Sequence, residues 1–225
     1  MSLFAPSFDE LPGVLPIFPL PGAVLLPGGQ LPLNIFEPRY LAMTAAALRG
    51  PRLIGMVQPR PRDEGNGSPD VGSDPVFSTG CAGRITAFGE TEDGRYLITL
   101  TGLLRFQVQE ELPLKDGYRR VRPDWSRYQG DLERAESALA GGAGGRPRLI
   151  SALRTYLTVT EQQGDWEAID EASDSELVTA LTMLCPFDVR EKQALLEAPT
   201  LEQRAETMIA LLEMASFEQG EGLRH

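Results

Sequence analysis

The sequence predicts an α+β protein in which a β-rich first part, residues 1–128, precedes a helical bundle over residues 129–225. Eight of the eighteen prolines lie among short apolar runs in the first forty residues, a pattern that excludes a helix and favours short edge-type strands. Apolar and polar residues then alternate over residues 96–101 and 105–109, as in half-buried antiparallel strands. Beyond residue 128 the apolar spacing becomes that of amphipathic helices.

The first part is predicted to contain several strands and one helix. The helix begins at Pro38, because proline suits a first helical turn, and ends before Gly50-Pro51. Residues 59–75 hold one aliphatic residue, Val71, and are predicted to form a mobile surface loop. The predicted strands cover residues 14–19, 24–26, 31–36, 52–58, 77–90, 95–102, 103–112 and 118–125.

The second part is predicted to form a bundle of four or more helices with acidic outer faces. Capping boxes mark the start of two of them. In chain order the helical segments are about 131–140, ending at the glycine-rich stretch 141–145; about 147–162; one capped by Ser173 with Glu176; one opening at Pro186; and one capped by Thr200 with Gln203.

Charge is distributed unevenly along the chain. The net charge is -11, of which residues 1–128 carry -1, with 13 bases and 14 acids, and residues 129–225 carry -10, with 8 bases and 18 acids. Because nucleic-acid affinity depends largely on neutralisation of phosphates by Lys and Arg, nucleic acid is an unfavourable partner. The N-terminus lacks the features of a secretory signal and no apolar run is long enough to span a membrane, so a cytoplasmic location without membrane attachment is expected.

The motifs of common enzyme classes are missing from the sequence. The single histidine, His225, is the last residue, which removes histidine-based catalysis and metal binding. There is no phosphate-binding loop and no nucleophile elbow. Cys81 and Cys185 are predicted to be small buried side chains, and the acids between Asp165 and Glu176 to form a solvated helix start. We therefore predict no enzymatic activity, no catalytic residues, no cofactor and no metal.

Aromatic side chains in the first part supply a candidate binding surface. Phe36, Tyr40, Phe106 and Trp125 form an apolar recognition surface in one interpretation and core residues in the other. Within the same motif, Glu37 lies at the positive end of the predicted helix, and Arg39 is expected to pair with a carboxylate of the β-rich part.

The N-terminal run resembles a known family. LPIFPLPGAVLLPGGQLPLNIFEPRY, from Leu15 to Tyr40, is similar to the opening signature of the Lon protease N-terminal domain, including its stand-alone bacterial forms. Gly80 to Ile85, the Gly94-Arg95-Tyr96 hairpin and Lys192 to Glu197 also resemble that family. The likeness extends from about Leu11 to Glu213.

The resemblance implies a PUA-like pseudobarrel followed by a helical bundle. It also implies a non-catalytic module that recognises unfolded or extended polypeptide, or a protease or chaperone partner, and that acts as an adaptor in proteolysis, because the ATPase and Ser-Lys protease residues of full-length Lon proteases have no counterpart here. The alternatives are RNA binding by the PUA-like part and small-ligand binding in a groove. The candidate binding residues are Phe36, Arg39, Tyr40 and Phe106. Weak binding through apolar patches and strand edges, a preference for basic clients and weak self-association are expected.

Overall fold

A computed structural model of the chain describes residues 7–61, 74–132, 139 and 145–222. The chain divides into two compact units, Met1–Arg134 and Ala135–His225. Among the residues described, the first unit contains one mixed sheet, one α-helix and short 3-10 helices, and the second contains only helices. The α+β class and the order of the two parts were predicted correctly.

Five strands of the first unit close into a ring, and the sixth lies outside it. In the ring β1 pairs with β3 and β6, β3 with β4, and β5 with both β4 and β6. β2 pairs with the first half of β5. The strands are β1 Leu15–Pro19, β2 Gln30–Ile35, β3 Leu53–Val57, β4 Thr79–Glu90, β5 Tyr96–Lys115 and β6 Tyr118–Asp124.

Two of the strand predictions were wrong. The strands expected on either side of Gly102 are one twenty-residue strand, β5. Residues 24–26 form no strand, although all three side chains are buried. This segment crosses directly over β5: a Cβ atom on Gly102 would lie 1.9 Å from the carbonyl oxygen of Leu26. An apolar run was therefore correctly expected to be buried, but it is buried by crossing the sheet rather than by pairing with it.

The helix of the first unit, α1, spans Pro38–Leu48 and has Pro38 in its first turn, as predicted. The Tyr40 ring packs against Phe18 of β1 with 4.2 Å between ring centroids. Only 7% of Tyr40 is exposed, and Met43, one turn further on, is fully buried. These contacts fix the start of α1 against the barrel.

A buried ion pair closes the first unit at its C-terminal end. Two 3-10 turns, Ser126–Leu132, meet at a kink at Tyr128. Asp131 accepts hydrogen bonds from the Arg105 backbone N–H and Nε at 2.9 Å and from its Nη2 at 2.8 Å. Burial acts to lower the pKa of Arg105, but the bonds to Asp131 outweigh it and raise that pKa. The turns therefore pack on the barrel, although they extend beyond residue 128 to Leu132.

The second unit is a helical bundle whose core is rich in buried leucines. Ser173 and Glu176 form the predicted reciprocal cap, whereas the helix expected to open at Pro186 begins three residues later, capped by Asp188 and Glu191. The helices are α2 Arg146–Val159, α3 Trp166–Glu171, α4 Asp174–Leu184, α5 Val189–Glu197 and α6 Leu201–Gly222. The core includes Leu149, Leu153, Leu177, Val178, Leu195, Met208, Ile209 and Leu212.

Some sequence predictions fall outside the described residues. Most of the helix expected at 131–140, most of the glycine-rich stretch 141–145, the centre of the predicted loop 59–75 and His225 belong to this group. The two ends of that loop are described: the Arg60 N–H donates to the Pro75 carbonyl at 2.7 Å, beside a bridge between Pro59 and Val76.

Substitution of Gly102 tests the crossing over β5. We expect Gly102→Ala to lower the free energy of unfolding by about 3 kcal/mol or more, because two backbone segments must separate to admit the new methyl group. Gly89→Ala is the matched control, since no atom lies within 4 Å of its Cβ position. Urea denaturation of both variants measures the difference, and equal stability of the two would show that the crossing is not tightly constrained.

Truncation of Tyr40 tests the packing of α1. Tyr40→Ala should cost about 3 kcal/mol or more, as is usual when a large buried aromatic ring is removed. Tyr40→Phe retains the ring contact with Phe18 and should cost less than about 1 kcal/mol. Thermal and urea unfolding give both values. An unchanged melting temperature in Tyr40→Ala would contradict a structural role for this ring.

Candidate functional site

The four predicted binding residues do not share one surface. Phe36, directly after β2, is 62% exposed, whereas Tyr40 is buried against Phe18. Phe106 has no exposed area and packs edge-to-face on Trp125, with ring centroids 5.6 Å apart. The prediction that Phe106 and Tyr40 are surface residues was therefore wrong. Both are held in apolar cores, where their ring area is removed from water.

Arg39 acts within its own motif. Its Nε and Nη2 both donate to Oε2 of Glu37, at 2.9 and 2.8 Å, and its guanidinium lies 4.6 Å from the centroid of the Tyr40 ring. Arg39 was expected to pair with a carboxylate of the barrel and instead pairs two residues back along the chain. Burial raises the pKa of Tyr40, so its hydroxyl stays protonated at neutral pH.

One face of the sheet around β5 carries no charge over two successive rows. Asn34 of β2 lies opposite Leu97 of β5, which lies opposite Gly89 of β4. In the next row Pro32, Thr99 and Ala87 are matched in the same way. We call this face the β2–β5–β4 surface; it comprises Pro32, Asn34, Thr86, Ala87, Gly89, Leu97 and Thr99. We add the exposed Phe36, which directly follows β2 and continues the alternation of Pro32 and Asn34.

The alternation of β5 sets the direction of these side chains. Ile98 and Leu100 are buried, at 3% and 0% exposure, so Leu97 and Thr99 point to the opposite side. Leu97 is 50% exposed. Leu97 is therefore a large apolar side chain on a face that has no charged residue in its two central rows, and Phe36 continues the alternation of that face beyond the end of β2.

The boundaries of the β2–β5–β4 surface are polar and ordered. The row beyond Thr99 pairs Thr101 with Arg84, which ends the uncharged area. At the other end the β4–β5 turn is held by an ion pair between Arg95 and Asp93 at 2.8 Å. A hydrogen bond from the Thr91 hydroxyl lowers the pKa of Asp93.

The opposite face of the β4–β5 hairpin is also partly apolar at its tip. Phe88 is 47% exposed and contacts Tyr96 edge-on, with 5.1 Å between ring centroids. Apolar side chains thus project from both sides of the same hairpin end. Of these residues, sequence reasoning selected only Phe36. A visible signal was the lack of charged residues between 30 and 36 and between 96 and 104.

Two potentially reactive side chains of the second unit, Cys185 and Lys192, are buried. Burial raises the pKa of Cys185 to about 11, so the thiol stays protonated at neutral pH. Lys192 is buried and its Nζ donates to the Met183 carbonyl at 3.3 Å. Among residues 7–61, 74–132, 139 and 145–222, no group of three His, Cys, Asp or Glu side chains is placed to hold a metal ion. No helix in these ranges is long and apolar enough to cross a bilayer.

Comparison with known proteins identifies the family. Residues 14–214 match the ATP-dependent protease La (LON) substrate-binding domain. The chain is 28% identical over 214 residues to Lon protease 2 of Myxococcus xanthus, and 26% identical over 205 residues to the Lon protease of Anaeromyxobacter dehalogenans. Each alignment covers 91% of this chain but only 24% and 23% of the relative, so the chain spans about a quarter of their length.

Solved structures show the same fold. A Lon N-terminal domain protein from Xanthomonas campestris superposes with a TM-score of 0.60 at 22% identity, over 88% of this chain and 97% of that one. The N-terminal domain of the Mycobacterium avium complex Lon protease gives the same TM-score at 17% identity and the same coverage. With the match to residues 14–214, the chain belongs to the Lon protease substrate-binding domain family.

Proposed function

We propose that this chain recognises unfolded or extended polypeptide through the β2–β5–β4 surface, without catalysing a reaction itself. The observation that carries the proposal is the placement of Leu97, which is 50% exposed, on a sheet face with two uncharged rows, with Phe36, which is 62% exposed, directly after β2. Membership of a substrate-binding family supports the same client class. Covering exposed apolar area of this kind with apolar side chains is favourable. Unfolded proteins expose such side chains, whereas folded proteins bury them.

Pairing of the arginines favours polypeptide over RNA as the ligand. Among the described residues of the first unit, five arginines form ion pairs with carboxylates, and a paired guanidinium has less capacity to neutralise a phosphate. The pairs are Arg39–Glu37, Arg95–Asp93, Arg105–Asp131, Arg119–Glu111 and Arg122–Glu110. The chain as a whole is strongly acidic, at -11, which adds long-range repulsion of polyanions and attraction of basic clients.

We also propose that the chain serves as an adaptor in proteolysis in the cytoplasm, presenting clients to a protease or chaperone. Its relatives are Lon proteases about four times as long as the region they share with it. A contact made by one apolar patch is expected to be weak, with a Kd of about 10–100 μM, and self-association would increase the effective affinity.

The proposal is tested by titrating the protein with fluorescently labelled lysozyme that has been reduced and carboxamidomethylated, a basic chain that stays unfolded. Leu97→Ser should weaken binding about fivefold or more, because the leucine no longer covers apolar client side chains. Leu114→Ser is the matched control, because Leu114 is 63% exposed but lies at the far end of β5, beside the turn into β6 and outside the β2–β5–β4 surface. Equal losses in the two variants would show that the β2–β5–β4 surface is not the binding site.

A labelled single-stranded RNA, titrated at 50 and 200 mM salt, tests the alternative. We expect no saturable binding at either concentration. RNA binding that falls steeply with salt, together with no binding of unfolded lysozyme, would replace the proposed function with RNA recognition.

A further inference from the structure

β2 is the only strand of the six that has a single partner strand among the described residues. Each of the other five pairs on both sides, and β2 pairs only with β5. One backbone edge of β2 therefore has no strand against it in the described part of the chain. Its residues Gln30, Pro32 and Asn34 are all exposed.

The hydrogen bonds at the start of β2 show which backbone groups point outward. The Gly102 N–H donates to the Gly29 carbonyl at 2.8 Å, so Gly29 faces β5. Because successive residues of a strand face opposite edges, residues 31, 33 and 35 also face β5, and residues 30, 32 and 34 face away from it. Pro32 agrees with this assignment, since it lacks an N–H and is tolerated where no ladder bond is required.

The outward-facing edge adjoins the proposed binding surface. Pro32 and Asn34 belong to the two uncharged rows and sit opposite Thr99 and Leu97. A segment bonded to the outer edge of β2 would extend the same sheet by one strand. Every second side chain of that segment would then lie beside Asn34 and Phe36, on the β2–β5–β4 surface, whose two central rows carry no charged residue.

We propose that the client binds as an added β-strand along the outer edge of β2, through backbone hydrogen bonds to Gln30, Pro32 and Asn34. This inference rests on the proposed function and specifies its mode: the occupant is an extended, unfolded segment whose alternate side chains are apolar. Backbone bonding makes recognition tolerant of sequence, and the uncharged face supplies the preference for apolar side chains.

Pro32 distinguishes this occupant from a second copy of the chain. In a two-fold pairing of β2 with β2 centred on Pro32, both strands lack the central donor, and two ladder bonds are lost. A client peptide that supplies its own N–H opposite Pro32 loses only one. Proline in an edge strand is a known device against self-pairing, and here it leaves the donors of Gln30 and Asn34 available to a client.

The test uses labelled eight-residue peptides of alternating valine and lysine, measured in 0.5 M NaCl to screen the acidic charge. One peptide is unmethylated, one carries backbone N-methyl groups on its valines and one on its lysines. Only every second residue of an added strand bonds to β2. N-methylation of one residue type, the valines or the lysines, should therefore weaken binding at least tenfold, and N-methylation of the other type should weaken it less than twofold. Equal effects of the two sets, or binding of unfolded lysozyme without binding of the unmethylated peptide, would overturn strand addition.

Two variants provide an independent measurement. Pro32→Thr adds an outward N–H donor and should tighten binding of the unmethylated peptide about threefold to tenfold, whereas Asn34→Pro removes a donor and should weaken it by a similar factor. Melting curves confirm folding, and Pro32→Thr decides the question if Asn34→Pro unfolds. Unchanged affinity in Pro32→Thr would count against the proposal.

The two proposals can fail separately. If Leu97→Ser weakens binding while both methylated peptides behave alike, the β2–β5–β4 surface is supported as the binding site and strand addition is wrong. If neither lysozyme nor the peptide binds, the proposed function itself fails.

Discussion

The first unit depends on a close crossing of two backbone segments at Gly102. The segment at residues 24–26 passes over β5 where the absence of a side chain admits the Leu26 carbonyl, and Gly28 and Gly29 then hydrogen-bond to Gly102 on leaving the crossing. This contact determines where β2 begins and in which register it pairs with β5. The alternation of Leu31, Leu33 and Ile35 with polar residues and Pro32 excludes a one-residue shift of β2, but a two-residue shift keeps the same face inward, so the crossing is what selects between such registers.

The length of β5 explains why the sheet has both a closed part and an open edge. Its second half pairs with β6 and completes the five-strand ring, while its first half pairs with β2 on the same side. A ring leaves no unpaired backbone, but β2 lies outside it and keeps one edge. The uncharged face and this edge belong to the same strands, so a binding surface and a means of backbone recognition occur together in the fold.

Electrostatics separates the structural residues from those available for binding. Arg39 and Arg105 are occupied by Glu37 and Asp131, and both guanidinium groups also lie over aromatic rings. The Arg105–Asp131 pair fixes the 3-10 turns onto the barrel, whereas the Arg39–Glu37 pair is local to the start of α1. Because these guanidinium groups are already paired with carboxylates, they are less able to attract an anionic ligand. The uncharged strand face around Leu97 has no corresponding structural partner among the described residues, and this contrast supports its assignment to recognition.

The sequence by itself determined the α+β class, the place of α1 after Pro38, the Ser173 cap and the absence of familiar catalytic motifs. These depend on local physics: proline geometry, capping and the period of apolar residues. Only the tertiary structure decided that Phe106 is buried while Leu97 is exposed. It also decided that the segment at residues 24–26 crosses the sheet at Gly102 instead of pairing as a strand. Alternation shows that a strand has two faces, but which face is covered depends on segments distant in the chain.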